Sequence, residues 1–187
     1  GTWDMIRSSF WDSIAWGWDE PAIAGTSSPI LLDLHLADLN GDGSDDLVVG
    51  WGHDDAYTRV FFNDGSGGFS ISDSNTLPLA PYGLNSLPLI TFSEDFDGDG
   101  DLDLLINYSR FEPYYGGDYL QYLENDGNGN FIDASEAAFG DAIDNAVTFS
   151  SRLTWAQYWN VADLNGDDHA DIIGNDPTTY DSIITYI

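Results

Sequence analysis

The chain has 187 residues, which is enough for one domain with a substantial core. Its formal net charge of -29, with only 4 Lys+Arg, argues against nucleic acid, anionic membranes and phosphate-rich substrates as partners. There is no cysteine, so neither disulfides nor thiolate metal sites are available. No stretch resembles a signal peptide or a membrane span, but Gly1 is not a natural start, so a leader could have been removed.

Aspartate dominates the acidic residues, with 28 Asp against 5 Glu. A surface made acidic for solubility would use glutamate freely, whereas short aspartates in turns are typical of metal-binding loops. Three segments carry such a pattern, at residues 38–46, 95–103 and 163–171. Each has oxygen-bearing side chains at positions 1, 3, 5 and 9, and the backbone carbonyl at position 7 completes the ligand set that calcium prefers. We therefore predict three calcium loops, in which three divalent ions would offset six negative charges.

The three loops differ from the better-known EF-hand and dockerin loops. An EF-hand needs a ligand at position 12 and a helix on each side, but position 12 here is Val49, Ile106 or Gly174. The residues after each loop are β-branched or leucine, which predicts a strand. The alternative is that the segments are ordinary turns rich in Asp, Asn and Gly, and three copies in register argue against it.

The loops belong to an internal repeat. Their first aspartates are 57 and 68 residues apart, and a second motif, Asn-Asp-Gly-x-Gly-x-Phe, follows the first two loops at Asn63 and Asn125. Each unit is predicted to contain, in order, a strand, a calcium loop, a second strand, a variable loop and a third strand. A hairpin turn then leads to a last strand, which starts at Phe69 or Phe131. This order predicts an all-β fold of β-propeller blades with four antiparallel strands. We expect one repeat domain over residues 1–187, with approximate repeats at 21–77, 78–140 and 141–187.

The third unit ends before its hairpin turn. Residues 183–187 align with the strand that precedes Asn63, so the turn would begin one residue beyond the end. Gly1-Thr2-Trp3 aligns with the end of that turn, and residues 1–20 are expected to contain the orphan last strand of a blade. Propellers close with four or more blades. Three repeats therefore predict a piece of a longer protein, a six-bladed ring of two chains, or strand sharing between chains; a non-propeller β fold on the same loops is the remaining alternative.

The motif Asp-x-Asn/Asp-x-Asp-Gly-x-x-Asp, with Asn-Asp-Gly-x-Gly-x-Phe some 25 residues on, resembles the FG-GAP/VCBS repeat. This is the calcium-binding propeller repeat of integrin α-subunits and of many secreted bacterial and fungal proteins. The resemblance implies side-chain ligands at positions 1, 3, 5 and 9 and a carbonyl ligand at position 7. In chain order these are Asp38, Asn40, Asp42, Ser44 and Asp46; Asp95, Asp97, Asp99, Asp101 and Asp103; and Asp163, Asn165, Asp167, His169 and Asp171. Asp168 replaces glycine at position 6 of the third loop, where binding is still expected but could be weaker.

Candidate ligand contacts lie in an aromatic insert of the second unit, residues 110–119. Tyr114 and Tyr115 could stack on a sugar ring or hold a peptide, with Arg110 and Asp118 fixing polar groups. The alternative is a loop that packs its own tyrosines onto the blade. No histidine joins a serine, cysteine or second-histidine pattern, and no carboxylate pair for glycoside hydrolysis stands out, so an enzyme is the weaker hypothesis.

Several other side chains are expected to be structural. His35 lies in an alternating strand segment, where a satisfied structural role is favoured over catalysis. Four tryptophans at alternating positions are expected to pack between blades and not to form a lectin platform: Trp16, Trp18, Trp155 and Trp159.

The sequence thus predicts a secreted or cell-surface, calcium-stabilised module that binds a glycan or protein ligand in an adhesive or lectin-like role. Two alternatives stay open. One is a structural subunit of an extracellular fibre or oligomer that self-associates through unpaired terminal strands. The other is an extracellular polysaccharide-active enzyme or its accessory domain. Neither nucleic-acid binding nor membrane insertion is expected.

Overall fold

A computed structural model describes residues 30–52, 58–80, 83, 86–110, 118–140, 159–167, 169–175 and 183–186. Within these residues the chain forms strands joined by tight loops, with one five-residue helix. The elements are β1 (Ile30–Ala37), β2 (Asp46–Gly52), β3 (Arg59–Asn63), β4 (Phe69–Thr76), β5 (Ser86–Glu94), β6 (Asp103–Arg110), β7 (Asp118–Asn125), β8 (Phe131–Asp133), α1 (Ser135–Phe139), β9 (Trp159–Ala162), β10 (Asp171–Asn175) and β11 (Ile183–Tyr186). No helix in this described part is long and apolar enough to cross a membrane.

The strands form three antiparallel sheets. Their orders are β1-β2-β3-β4, β5-β6-β7-β8 and β11-β10-β9. Strands that follow one another in the chain are neighbours in each sheet, which is the arrangement of a propeller blade. The predicted all-β fold with four-stranded blades is confirmed. The orphan strand expected within residues 1–20 lies outside the described residues, and the repeat boundaries stay a prediction.

Each calcium loop runs directly into a strand, as predicted. Position 9 of the three loops is the first residue of β2, β6 and β10, namely Asp46, Asp103 and Asp171. The Asn-Asp-Gly turns join β3 to β4 and β7 to β8, whose first residues are Phe69 and Phe131. The strand that follows each loop excludes an EF-hand, which needs a helix there.

The three sheets stack on one another, with the second in the middle. Leu104 on β6 lies in a buried cluster with Val48 on β2. Leu105 points to the opposite face of β6, because successive residues of a strand alternate. It packs in a second cluster with Trp159 and Ile172 of the third sheet, so Trp159 lies between blades as expected. The other tryptophans that were expected to pack between blades lie outside the described residues: Trp16, Trp18 and Trp155.

One face of the first sheet carries exposed leucines. Leu34 pairs with Val49 and Leu36 pairs with Leu47 across β1 and β2, so all four share a face. This face lies opposite Val48, which faces the second sheet. Leu34 and Leu36 are 49% and 58% exposed, respectively.

The corresponding positions of the second sheet are polar and covered. Thr91 and Ser93 occupy the places of Leu34 and Leu36, counted from the first aspartate of each loop. Thr91 is buried, and Ser93 Oγ forms a 2.8 Å hydrogen bond with His35 Nε2 of the first sheet. Burial lowers the pKa of His35, which has the structural role that its strand position predicted.

Candidate metal centre

The three loops fold around the carboxylate at position 1. In the second loop, Asp95 Oδ1 accepts a hydrogen bond from the Gly98 N–H at 2.8 Å, and Asp95 Oδ2 accepts one from the Gly100 N–H at 3.0 Å. Asp38 and Asp163 accept N–H groups from the same region of the first and third loops. The short aspartate side chain therefore closes each loop upon itself.

Positions 3 and 5 of the second loop bring further carboxylates to the same place. Asp97 Oδ1 accepts the Asp99 N–H at 3.0 Å, and Asp99 Oδ1 accepts the Asp101 N–H at 2.9 Å. One carboxylate oxygen each from Asp95, Asp97 and Asp99 lies within 4.8 Å of the others. Calcium binds oxygens at about 2.3–2.6 Å, so two ligands of one ion are at most about 5 Å apart. The three oxygens therefore fit the coordination shell of a single ion.

The first and third loops have an amide at position 3. Asn40 Oδ1 accepts the Asp42 N–H at 3.0 Å, and Asn40 Nδ2 donates to Asp42 Oδ2 at 3.2 Å. Asn165 makes the same two contacts with Asp167, at 2.8 and 3.0 Å. Amide oxygens are suitable calcium ligands, but these loops carry one negative charge fewer than the second loop. We expect the second loop to hold calcium most tightly.

Glycine at position 4 is a feature that the sequence prediction missed. Gly41, Gly98 and Gly166 have φ values of 71°, 81° and 81°, in the left-handed region that favours glycine. All three loops share this glycine, whereas position 6 of the third loop is Asp168, which lies outside the described residues. Direct alignment of the three loops would have identified position 4.

The aspartate at position 9 is buried in every loop. Asp46 and Asp103 are 0% exposed and Asp171 is 2% exposed. Loss of solvation raises the pKa of Asp46 and of Asp103, because it disfavours the charged form. The N–H of position 2 donates to this carboxylate in each loop, at 3.1, 3.2 and 2.7 Å, which partly replaces the lost water.

The same aspartate joins the calcium loop to the hairpin turn in the first two units. Asp46 Oδ1 accepts the Asn63 N–H at 2.9 Å, and Asp103 Oδ1 accepts the Asn125 N–H at 2.8 Å. The Tyr122 hydroxyl also donates to Asp103 Oδ2 at 2.8 Å. The two sequence motifs are therefore joined in the structure, because the carboxylate at position 9 accepts a hydrogen bond from the first residue of the turn. Calcium ligation by position 9 stays a prediction.

Loops of neighbouring sheets lie side by side. A Cβ placed on Gly98 would be 3.7 Å from His169 Cε1, so the second and third loops are adjacent. A Cβ on Gly41 would be 3.9 Å from the Gly127 carbonyl oxygen, so the first loop faces the turn of the second unit. The loops form a row along one edge of the stacked sheets.

Two of the four predicted ligand-contact residues, Arg110 and Asp118, are at the end of the second sheet that lies away from its predicted calcium loop. Arg110 is the last residue of β6 and Asp118 is the first of β7, while Tyr114 and Tyr115 lie outside the described residues. β6 has 8 residues and begins at Asp103 of the calcium loop. At roughly 3.3 Å per residue, about 25 Å separates the calcium loop from the insert. Arg110 and Asp118 therefore lie apart from the predicted calcium loop of their own sheet.

Comparison with known families identifies the repeat. The model of the FG-GAP-like repeat matches the chain twice, over residues 38–106 and 95–174. These matches begin at the first aspartates of the first and second loops. Comparison with curated proteins gives no match. The two family matches together span well over half of the sequence, and the chain belongs to the FG-GAP-like repeat family.

Proposed function

We propose that this protein is a calcium-stabilised recognition module, secreted or displayed at a cell surface, which binds a glycan or protein ligand. Repeats of its family are found in adhesion and extracellular proteins. The observation that carries the proposal is the row of three oxygen-lined loops with one hydrogen-bond pattern. In the second loop, oxygens of Asp95, Asp97 and Asp99 lie within the span of one ion.

Calcium has a structural part in this proposal. Carboxylates this close repel one another, and a divalent cation among them converts that repulsion into attraction. Each loop ends at a buried aspartate that starts the second strand of its sheet, as Asp103 starts β6. Fixing the loop therefore fixes the strand and the hairpin turn attached to it.

The ligand would bind near the insert between β6 and β7. Tyrosine offers a large apolar ring and a hydroxyl at low conformational cost, so Tyr114 and Tyr115 suit either a sugar face or a peptide. The net charge of -29 favours a neutral or basic ligand over an acidic one. Separation from the calcium loops by the length of β6 means that calcium would support binding through stability and not through contact.

The described residues give little support to the hypothesis that the protein is an enzyme. Asp46 and Asp103 have raised pKa values, which is a common property of a general acid. Both carboxylates, however, accept protein hydrogen bonds on each oxygen and are buried in their loops. A proton donor must reach the substrate, so neither residue fits that role.

Binding to an array of neutral and basic glycans, and to a panel of extracellular proteins, tests the proposal. The Tyr114→Ala/Tyr115→Ala variant should lose on the order of tenfold or more in affinity for any ligand found, as expected for an aromatic anchor. Ile132→Ala is the control, because Ile132 is an exposed apolar residue of the same sheet, 62% exposed. Unchanged binding by the folded double variant would place the ligand site elsewhere.

A second candidate function is assembly, which is favoured by Leu34 and Leu36, both exposed on a face where Leu47 and Val49 are buried. The equivalent face of the second sheet packs against the first sheet, so the face with Leu34 and Leu36 is the one on which a preceding unit would pack. We propose that a second copy of this chain supplies that unit. Contact would then be between sheet faces, in addition to any sharing of terminal strands.

Light scattering in calcium tests the assembly. The native chain should form a dimer or a larger species, and Leu34→Asp/Leu36→Asp should reduce it to a monomer. Ile132→Asp, on an exposed position of the second sheet, should leave the mass unchanged. A folded native monomer at high concentration would refute assembly through this face.

A further inference from the structure

Asn125, the first residue of the second hairpin turn, contacts two calcium loops. Its side chain is 3% exposed. Asn125 Nδ2 donates to the Leu102 carbonyl of the second loop at 2.9 Å and to the Leu39 carbonyl of the first loop at 2.8 Å. Its backbone N–H donates to Asp103 Oδ1 at 2.8 Å. One buried residue thus joins loops that belong to different sheets.

We propose that Asn125 is a positioning residue that couples calcium binding in the first loop to calcium binding in the second. This inference rests on the proposed function, because it requires that the loops bind calcium. Leu39 lies between Asp38 and Asn40, two predicted ligands of the first loop. An ion that orders Asp103 fixes Asn125, and Asn125 fixes the backbone that carries Asp38 and Asn40.

The second turn is also held firmly against the first sheet. Asn75 Nδ2 of β4 donates to the Gly129 carbonyl at 2.9 Å. Gly129 is buried, its N–H donates to Asn125 Oδ1 at 3.1 Å, and a Cβ at this position would overlap the Phe62 ring. The turn therefore moves together with the first sheet, which makes Asn125 suitable for transmitting order between the loops.

The first unit supplies a matched control. Asn63 begins the same motif, and its backbone N–H makes the same contact with position 9 of its own loop, at 2.9 Å to Asp46. Its amide, however, donates to the Asp45 carbonyl at 3.0 Å, again within its own loop. Among the described residues, Asn63 therefore has the local role of Asn125 but makes no connection to a neighbouring loop.

Calcium titration by calorimetry tests the coupling. The third loop is first disabled by Asp163→Ala/Asp167→Ala, so that only the first two loops bind. Disabling the second loop as well, by Asp97→Ala/Asp99→Ala, should then lower the calcium affinity of the first loop roughly tenfold, a typical coupling between sites. In the Asn125→Ala background the same change should leave the first-loop affinity unaltered. Asn63→Ala should lower the calcium affinity of the first loop. Disabling the second loop should still lower that affinity further by the same factor as in the native chain.

The outcomes separate this inference from the function on which it rests. Absence of calcium binding by the native chain would overturn the proposed calcium role and the inference together. Three bound ions with no coupling between the first two loops would overturn the inference alone. Coupling that persists in Asn125→Ala would also overturn it, because the connection would then run through other residues.

Hydrogen exchange gives a second test that leaves Asn125 intact. In Asn40→Ala/Asp42→Ala, which disables the first loop, calcium in the second loop should slow exchange of the Gly43 N–H, which donates to Asp38 Oδ2 at 2.9 Å. The Ser66 N–H is the control, because it donates to Asp64 within the first turn, at 2.8 Å. Equal effects of calcium on both amides would contradict transmission through Asn125.

Discussion

The two Asn-Asp-Gly turns share a sequence motif but differ in what they contact. Both use their aspartate to accept N–H groups of the turn, at 2.8 Å from Ser66 to Asp64 and at 2.9 Å from Asn128 to Asp126. Within the part of the chain that the structure describes, only the second turn packs on a neighbouring sheet, where Gly129 is buried. The motif therefore determines the local turn, whereas stacking of the sheets determines how much the turn contributes to stability.

The largest difference is expected from alanine at the second glycine of each turn. Gly67 and Gly129 have φ values of 86° and 76°, so alanine strains the backbone at both by about 1–2 kcal/mol. At Gly129 the new Cβ would also overlap the Phe62 ring, which adds about 1–3 kcal/mol for overpacking.

Urea unfolding in calcium measures this difference. Gly129→Ala should lower the free energy of unfolding by clearly more than Gly67→Ala, whose added Cβ has no described atom within 4 Å apart from its chain neighbours. Equal losses would mean that the second turn is not packed on the first sheet in solution.

A smaller effect is expected at Tyr122, whose hydroxyl contacts the Asp103 carboxylate that holds the second turn. Its hydroxyl donates to the buried Asp103 carboxylate, and a hydrogen bond to a charged group contributes about 1.5–3 kcal/mol. Tyr122→Phe should therefore destabilise the chain by that amount in thermal or urea unfolding. Tyr108→Phe is the control, since its hydroxyl pairs with the neutral Thr58 hydroxyl at 3.1 Å, where about 1 kcal/mol is expected. A larger loss for Tyr108→Phe would contradict the assigned importance of Asp103.

The smallest effect should be the same in both turns. The Ser66 hydroxyl lowers the pKa of Asp64 below 3.8, and the Asn130 amide does the same for Asp126. A lowered folded-state pKa contributes stability above pH 3.8 that is lost as the pH falls through the folded value. Asp64→Asn and Asp126→Asn should each be slightly less stable than the native chain at pH 7, and this difference should shrink at pH 3 in urea unfolding. If the variants are still less stable than the native chain by the same amount at pH 3, the charge of the carboxylate is not the source of the lost stability.

Much of a single unit could be predicted from the sequence, because its signals are local. Calcium-loop motifs, apolar strands and the Asn-Asp-Gly turns predicted the order from β1 to β8 and the first residues Phe69 and Phe131. The role of position 9 as the link to the turn was not predicted, since the spacing of 17 residues between Asp46 and Asn63 does not reveal a hydrogen bond.

Apart from the packing of Trp159 between sheets, the contacts between units could not be predicted. Asn125 and the Leu39 carbonyl are 86 residues apart, and their hydrogen bond depends on how the sheets stack. No property of Asn125 within its own motif distinguishes it from Asn63. The exposed positions of Leu34 and Leu36 likewise appear only when the faces of neighbouring sheets are compared.

Thermal unfolding with calcium or with chelator is the most direct test of a calcium-stabilised repeat. In millimolar calcium the chain should melt cooperatively, and excess chelator should lower the melting temperature by more than 10 °C, since removing a ligand at 1,000 times its Kd costs about 4 kcal/mol. Magnesium at the same concentration should restore little of the loss, because it demands a smaller octahedral site. An identical melting temperature in calcium and in chelator would contradict the assignment of the three loops as calcium sites.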